Sequence, residues 1–561
     1  MKAAGGQDSA ISVVHSTPEV AGKAPSRGLR VKLDAFMTPA GLLLGAAFVL
    51  AMFAVTSPIR DPDFWWHLRA GQLILQHGGL LGTDPFTYTA VGHSWTMHEW
   101  LTEVSYAALV SAFGIGAVIL VLSAVTWLGI VAVAAKASLD KPNRLVFGLG
   151  LLLAVIAGYP IWGPRVQMVT FCFSAITLLL VERHLTRDGR GIWLLVPLFL
   201  VWSNLHSGFV IGLGFIGLIL VAELAGPLFR MPDPAQRSRL RPLALVLLAG
   251  AALSLINPNG PGILLYAFET QSSAAQQSLI LEWHSPDFHD WAIVAYGVML
   301  VSLLVLITLT RRIRARDAAL VLATVALSLQ SARHIALFVA ATTPVWIDQA
   351  SMLLERRHGR TPQRRRQQPS LRFRATVFAT LFGVLFAGYL GGRLIAMMRI
   401  QQNSLMYAQE FPVCAARWLS EAPQPLRIFN QYGEGGYLAY TLSAKGDRVF
   451  IFGDAALMGD NLLYQYGDVE GVAPNWESII DDSHTDIVLF DRNTPLEAVM
   501  RQAATPLNAR WTIVYQDPLS VAFVQTSKLQ SLHLPPPPGP YPSGDVCNQL
   551  QTAPINSGAQ Q

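Results

Sequence analysis

The chain has 561 residues, of which 14% are charged and 52% hydrophobic, with a mean hydropathy of +0.38. Soluble domains carry about 25% charged residues, so a wholly water-soluble globule is excluded. The deficit is uneven: charges nearly vanish from a series of apolar runs between Phe36 and Met398 and return to ordinary density after Gln401.

Residues 1–35 are rich in Gly, Ser, Pro and Ala, with five Lys/Arg and little apolar periodicity. Such a segment buries too little surface to offset its ordering entropy and reads as a disordered tail. The run from Phe36 to Thr56 is a first membrane span rather than a cleaved leader, because no convincing small-residue cleavage site accompanies it. Further spans are expected at 114–135, 145–160, 166–182, 191–203, 208–228, 242–257, 290–310, 317–330, 334–350 and 375–398. Most approach the ~20 apolar residues that a bilayer core requires. The expected total is eleven; the runs 191–203, 242–257 and 317–330 are short, which widens the range to about ten to thirteen.

The distribution of basic residues orients these spans. With the N-terminus cytoplasmic, the loops on its side (1–35, 136–144, 183–190, 230–241, 311–316 and 351–374) hold 27 Lys/Arg, whereas the opposite loops hold only Arg60, Arg69, Arg165 and Arg333. This asymmetry follows the positive-inside rule. It places residues 400–561 in a periplasm or extracellular space, the expected setting being a bacterial plasma (inner) membrane. The net charge of +5 is thereby a matter of orientation and anionic lipid, and nucleic acid is not an expected partner.

Uncommon polar and aromatic residues gather at the outer ends of the spans. They are Asp61-Pro-Asp63-Phe-Trp-Trp-His67, Tyr159 to Arg165, Trp202-Ser-Asn204-Leu-His206, Asn257-Pro-Asn-Gly260, Glu282-Trp-His284-Ser-Pro-Asp287 and Arg333-His334. Groups of this kind are costly at membrane depth unless they face a cavity or each other, so a shared cavity is expected at that surface. Trp162 and Trp283 read as interfacial belt residues, and Asn257 and Asn259 as turn chemistry. The candidate substrate-binding residues are His67, Arg165, Asn204, His206, Glu282, His284, Arg333 and His334. Asn204 and His206 read equally well as part of a simple helix connection.

The first outer loop, within 58–113, is far longer than the ~2–8 residues usual between bundle helices. Asp63 and His67 are spaced to share a helix face, and Phe64, Trp65, Leu68, Leu73, Ile74 and Leu75 suit a helix lying in the membrane interface. A second such helix is expected from Met97 to Phe113, bearing His98, Glu99 and Glu103.

The stretch from Asp63 to Gly78, DFWWHLRAGQLILQHG, followed by Thr83-Asp-Pro-Phe-Thr-Tyr88, resembles the first-loop signature of GT-C membrane glycosyltransferases. These include protein O-mannosyltransferases and lipid A aminoarabinose transferases. The whole chain after residue 35 is similar to bacterial polytopic membrane proteins of that type, through DPDFWWHLRAG, TDPFTYT, HEWL, NLHSGFVIG, INPNG, EWHSPDF, FNQYGEGGYLAY and VFIFGDAALMGD. The resemblance implies transfer of a sugar, with inversion, from a polyprenyl-phosphate donor to a glycan, lipid or protein acceptor at the outer face. Asp63 matches the family acid and is the expected general base, with Asp61 second. A leaving lipid phosphate calls for fixed cations, Arg333 first and Arg165 next. Some members of the class use a divalent metal and others none. Asp63, His67, Asp84 and Glu99 are the available donors, without a diagnostic spacing, and no cofactor is assigned.

After Gln401 the pattern shortens. Strands are expected at Arg427–Phe429, Arg448–Phe452, Asp486–Phe490, Thr512–Tyr515 and Val521–Val524, with helices at 412–420, 434–443, 473–482 and 494–504. This is an extracytoplasmic α/β domain over 401–530, following a helical membrane part over 36–400 and preceding a Pro-rich tail over 531–561. Gly433-Glu-Gly-Gly436 reads as a turn or helix start, and Asp454 and Asp460 lie just past a strand, where α/β proteins often bind ligands. Cys414 and Cys547 both fall in a compartment where disulfides persist; a bridge would tie the tail to the domain. Two other classes stay open: a transporter or flippase, against which stands the lack of duplicated halves, and a non-catalytic scaffold that keeps the fold.

Overall fold

The computed structural model describes residues 39–187, 189–358, 405–504 and 509–552, with a few residues between 388 and 395. The expected tail 1–35, most of the span 375–398 and the basic stretch beyond 358 lie outside them. Every other expected span falls on an observed helix. In chain order the helices of this part are α1 (Pro39–Val55), α2 (Asp63–His77), α3 (Trp100–Phe113), α4 (Ile115–Ala137), α5 (Arg144–Ala157), α6 (Gln167–Arg187), α7 (Leu195–Leu205), α8 (Phe209–Ala225) and α9 (Arg237–Ser254). They continue as α10 (Gly262–Ser272), α11 (Ala274–Leu279), α12 (Trp291–Thr310), α13 (Ala315–Gln330) and α14 (Ile335–His358).

Among the described residues, five helical runs are long and apolar enough to cross a membrane, within Ile115–Asp140, Gln167–Arg187, Phe209–Phe229, Trp291–Thr310 and Ala332–Arg356. Pro39–Val55, Arg144–Ala157 and Arg190–Leu205 are apolar but shorter. The protein is a multi-pass membrane protein. The helices pack around two buried apolar clusters, one centred on Phe171, Tyr296 and Phe338 and the other on Phe199, Trp202 and Phe215. At the membrane end away from α2, the buried Arg316 bridges Glu182 at 2.9 Å and Glu223 at 2.6 Å, so α6, α8 and α13 are joined through a satisfied charge.

The C-terminal part adds α15 (Val413–Ser420), α16 (Gly435–Leu442), α17 (Asp460–Glu470), α18 (Trp476–Asp482) and α19 (Pro495–Ala503) to strands β1 (Arg427–Asn430), β2 (Arg448–Val449), β3 (Ile487–Asp491), β4 (Trp511–Gln516) and β5 (Ser520–Gln525). The five strands form one sheet in the order β2-β1-β3-β5-β4. The first three are parallel, with Ile428 opposite both Val449 and Ile487, and β5 and β4 run antiparallel. The uninterrupted apolar runs Ile487–Phe490 and Val521–Val524 are buried throughout, as expected of strands covered on both faces.

The strand expected over Arg448–Phe452 is only two residues long. The Asn430 amide inserts beyond it, accepting from Phe450 N at 3.0 Å and donating to Ile451 O at 2.9 Å, which replaces further strand pairing. On its outer edge β2 is joined by the first loop: Val449 N donates to Phe86 O at 3.0 Å, and Tyr88 N donates to Val449 O at 3.2 Å. Helix α17 was not expected, although Leu462, Leu463, Tyr466 and Val469 recur at helical spacing and are buried.

The largest departure concerns α2. Its apolar residues suit a helix in the membrane interface; instead it is clamped between α3 and α16. Trp65 is fully buried, with Tyr407, Phe411, Tyr437 and Tyr440 rings at 5.1–5.6 Å around it. The C-terminal part covers this apolar stripe at Trp65, α3 meets it at Phe64 through Tyr106, and Leu75 stays exposed. Trp162 and Trp283 are likewise buried, not belt residues; Trp162 donates to Val155 O at 2.9 Å. Cys414 and Cys547 form a disulfide with Cα atoms 5.7 Å apart, fastening the stretch after Pro535 to α15.

Emptying a buried aromatic site of this size costs about 3–5 kcal/mol. Trp65→Ala is therefore expected to loosen the C-terminal part from α2, seen as faster limited proteolysis of residues 405–552 while the membrane helices stay protected.

Candidate active site

The start of α2 is built by its own sequence. Asp61 Oδ1 accepts from Asp63 N at 3.2 Å and Pro62 fixes the entry, so two carboxylates flank the first turn. Asp63 Oδ1 accepts from Trp66 Nε1 at 3.1 Å. Two glycines of the C-terminal part close over this turn: a Cβ at Gly453 would overlap the Asp63 carboxyl, and one at Gly436 would crowd Pro62 O and Trp66. Only a bare backbone lets the chain after β2 approach so closely.

Asp61 and Asp63 open into a cavity of about 550 Å³. Its walls come from the α2 turn, the loops after α5 and α7, helix α10, the segment 276–283 and Arg333. The C-terminal part supplies Gln431, Tyr432, Gly453, Asp454, Tyr466 and Glu470. Burial, and then the neighbouring Asp61, push Asp63 up to about 8. Burial raises Asp61 as well, opposed by Arg165, whose Nε lies 3.5 Å from Asp61 Oδ2. Arg165 also holds Glu282, so its charge is balanced twice. Arg333 differs: its guanidinium lies over the Trp283 ring at 4.6 Å, a cation–π contact, and among the described residues no carboxylate reaches it within ion-pair distance.

Beside the acids lies a histidine cluster around Glu99. His67 Nε2, His98 Nε2 and His206 Nε2 stand 3.1, 3.3 and 3.3 Å from its carboxyl oxygens. His206 Nδ1 accepts from Gly208 N at 2.9 Å, leaving the ring proton on Nε2, on the side of Glu99. His67 Nδ1 faces Glu103 Oε1 at 3.3 Å. Burial and then Glu99 drive Glu103 well above the carboxylate range, so it donates its proton there, which leaves the His67 ring proton on Nε2, on the side of Glu99. Burial pulls His67 and His206 down to about 4. Although burial opposes both shifts, the three imidazoles hold Glu99 low and Glu99 holds His98 high. The cluster is thus one ion pair, Glu99 with His98, framed by two neutral donors.

The structure brings Asp61, Asp63, His67, Arg165, His206, Glu282 and Arg333 to one cavity. It does not bring Asn204, His284 or His334. Asn204 is spent joining helices, donating to Leu200 O and Ile256 O and accepting from Trp100 Nε1 at 2.9 Å. His284 accepts no such role either, as its Nε2 meets Ser278 O at 3.1 Å. His334 lines a smaller neighbouring cavity. Asn257 and Asn259 hold the turn after α9, as their sequence implies. Of the donors named for a metal, Asp84 is consumed by the N–H groups of Phe86 and Thr87, and the Glu99 oxygens face imidazoles. Among the described residues, no group of three or more His, Cys, Asp or Glu has metal-holding geometry. Sequence reading left out Tyr432, Tyr466, Glu470, Gln431 and Tyr266 as cavity residues. Asp454 alone carried a signal, its place just past a strand; it accepts from Trp95 Nε1 at 2.7 Å.

No protein-family model and no curated protein sequence matches the chain. Among solved structures, it is similar to the archaeal oligosaccharyltransferase AglB from Archaeoglobus fulgidus, in complex with an inhibitory peptide and a dolichol-phosphate. The TM-score is 0.52 at 10% identity, covering 80% of this chain and 69% of that one. The chain shares the fold of that structure. ArnT from Cupriavidus metallidurans is similar at TM-scores of 0.45 bound to undecaprenyl phosphate and 0.46 in the apo state. Both are 14% identical, covering 87% and 88% of this chain and 98% of ArnT. The cavity lies where the membrane helices, the first loop and the C-terminal sheet part meet.

Breaking a buried ion pair by removing one charge costs about 3–5 kcal/mol. Glu99→Gln is expected to lose stability on that order near neutral pH. His98 is protonated because its folded value is raised, so the pair exists below that value and is lost above it. The difference between variant and unaltered protein, measured by thermal unfolding in detergent, should therefore shrink as pH rises through the His98 titration.

Proposed function

We propose that this protein transfers a sugar from a polyprenyl-phosphate-linked donor to an acceptor, with inversion, using Asp63 as general base. The observation that carries the reading is the place of Arg333. It lines both the acid-bearing cavity and a smaller apolar cavity of about 260 Å³ walled by Phe171, Val210, Ile211, Phe268 and Leu337. An uncompensated cation at the junction of a polar and an apolar space is the environment that a lipid phosphate requires, its head in the first and its chain in the second. The archaeal oligosaccharyltransferase of the same fold was captured with a dolichol-phosphate, and a lipid phosphate is the donor class assigned to this chain.

In the proposed step the acceptor oxygen attacks the anomeric carbon from the side of Asp63. The bond from that carbon to the phosphate oxygen breaks, and its electron pair leaves on the phosphate. The acceptor proton passes to Asp63, whose raised pKa suits it to hold a proton at working pH. Arg333 meets the charge growing on the phosphate. Arg165 acts through Asp61 and Glu282, its charge opposing the rise that burial gives the second acid. We further propose the eleven-span layout, with the N-terminus cytoplasmic, residues 401–530 forming an extracytoplasmic domain, and the cavity opening on the outer face of a bacterial inner membrane.

The test is transfer of labelled sugar from polyprenyl-phosphate donors by purified protein. Asp63→Asn keeps the acceptor oxygen for Trp66 and should lower the rate by about 10²–10⁴-fold; full activity of this variant sinks the assignment of the base. Since the base must be unprotonated and Asp63 titrates at about 8, the rate should fall about tenfold per pH unit below that point. A rate flat from pH 6 to 9 would argue against Asp63. Arg333→Ala should lower kcat by about 10²–10³-fold, with partial recovery in Arg333→Lys.

A further inference from the structure

We propose that α10 is a membrane-seated helix, with its Leu265 and Phe268 face in the bilayer leaflet on the cavity side and its opposite face holding Tyr266 in the cavity. Both faces are visible in the structure. Leu265 and Phe268 are 62% and 65% exposed, whereas Ile263, on the other side, is fully buried. Tyr266 stacks on His98 with ring centroids 4.3 Å apart and an interplanar angle of 26°, and it lines the reaction cavity.

The occupant follows from continuity. Helix α9 exposes Leu245 and Leu248 on its outward side, and the apolar exposure continues through Ile256 at its end before resuming at Leu265 and Phe268. The turn between the two helices is fixed rather than loose. Gly260 takes φ 54°, Asn257 donates to Ser203 O at 2.7 Å, and Asn259 donates to Met97 O at 3.2 Å. The start of α10 is therefore pinned at the edge of the lipid-facing surface. Along the exposed face the apolar pair is followed one turn later by Glu269 and Ser272. That gradient suits a helix lying in the interface with its first half immersed. Phe268 also lines the smaller apolar cavity, so the depth of α10 in the leaflet sets both the mouth of that cavity and the position of Tyr266. This inference needs only the multi-pass character of the chain, and stands or falls apart from the donor proposed above.

The test uses full-length protein in phosphatidylcholine–phosphatidylglycerol vesicles, with an environment-sensitive fluorophore at Leu265→Cys or Phe268→Cys. Cys172 is buried and the other two cysteines are paired, so labelling is selective. Asp287→Cys, in an exposed loop, is the aqueous control. Both α10 labels are expected to show several-fold weaker quenching by iodide than the control and strong quenching by acyl-chain nitroxide lipids. Iodide quenching equal to the control, or protection from both quenchers as in a contact between copies, overturns the proposal. As a second readout, Leu265→Ser with Phe268→Ser should speed amide hydrogen exchange several-fold over Gly262–Ser272 and leave Trp291–Thr310 unchanged; an unchanged rate over α10 also overturns it.

Discussion

The constraint on which the structure turns is the burial of the first half of α2, Phe64 to Leu68, between the membrane helices and the C-terminal part. A helix carrying Phe64, Trp65, Trp66 and Leu68 cannot rest in water. With α3 beneath and α16 above, it has a protein environment rather than a lipid one. Once Trp65 is enclosed by rings from the C-terminal part, the residues before it have a fixed address. Asp61 and Asp63 must emerge at the seam between the membrane helices and the sheet. The glycines at 436 and 453 keep that seam tight. A cavity at a seam between two parts draws its walls from both, which is why the sheet part supplies Tyr432, Asp454 and Glu470 to a site whose acids belong to the first loop.

The same burial sets the electrostatics. Five carboxylates near one desolvated space would repel strongly, and the structure settles them in different ways. Asp61 and Glu282 share Arg165; Glu99 takes His98; Glu103 stays protonated against His67. Asp63 is the exception, with only an indole N–H for support and Asp61 as a like-charged neighbour. Its upward shift comes first from burial and then from the charge of Asp61 beside it. The histidines surround Glu99, with the tautomers of His206 and His67 set by Gly208 N and by the Glu103 proton.

Much of this was legible in the sequence because it rests on local patterns. Long apolar runs located the membrane helices, short apolar runs between helical stretches located the strands of the C-terminal part, and the long first loop with paired acids pointed at the site. What escaped was settled by contacts between distant segments. Nothing local distinguishes a Trp65 that meets lipid from one that meets Tyr437, since both environments reward the same side chain. Asn204 and His284 sit in polar loop sequences as suggestive as that of His206, yet hydrogen bonds to Leu200 O and Ser278 O decide otherwise. The cavity residues after β1 and β2 were hidden for the same reason: Gln431 and Tyr432 become site residues only because the sheet docks over α2.

The contrast between the two arginines carries the functional argument furthest. Both stand at the membrane surface bearing the acids, and both were reasonable phosphate ligands by sequence. A guanidinium held by two carboxylates has little charge left for a ligand, and breaking those pairs would leave two buried anions. A guanidinium held only over an indole keeps its hydrogen-bond donors for a phosphate, while the ring lowers the cost of waiting in a poorly solvated place. Its position at the meeting of the polar and apolar cavities then constrains the ligand on chemical grounds: an anion joined to an apolar chain satisfies both spaces at once. A free phosphate would leave the apolar one unfilled, and a fatty chain without charge would leave the cation unanswered.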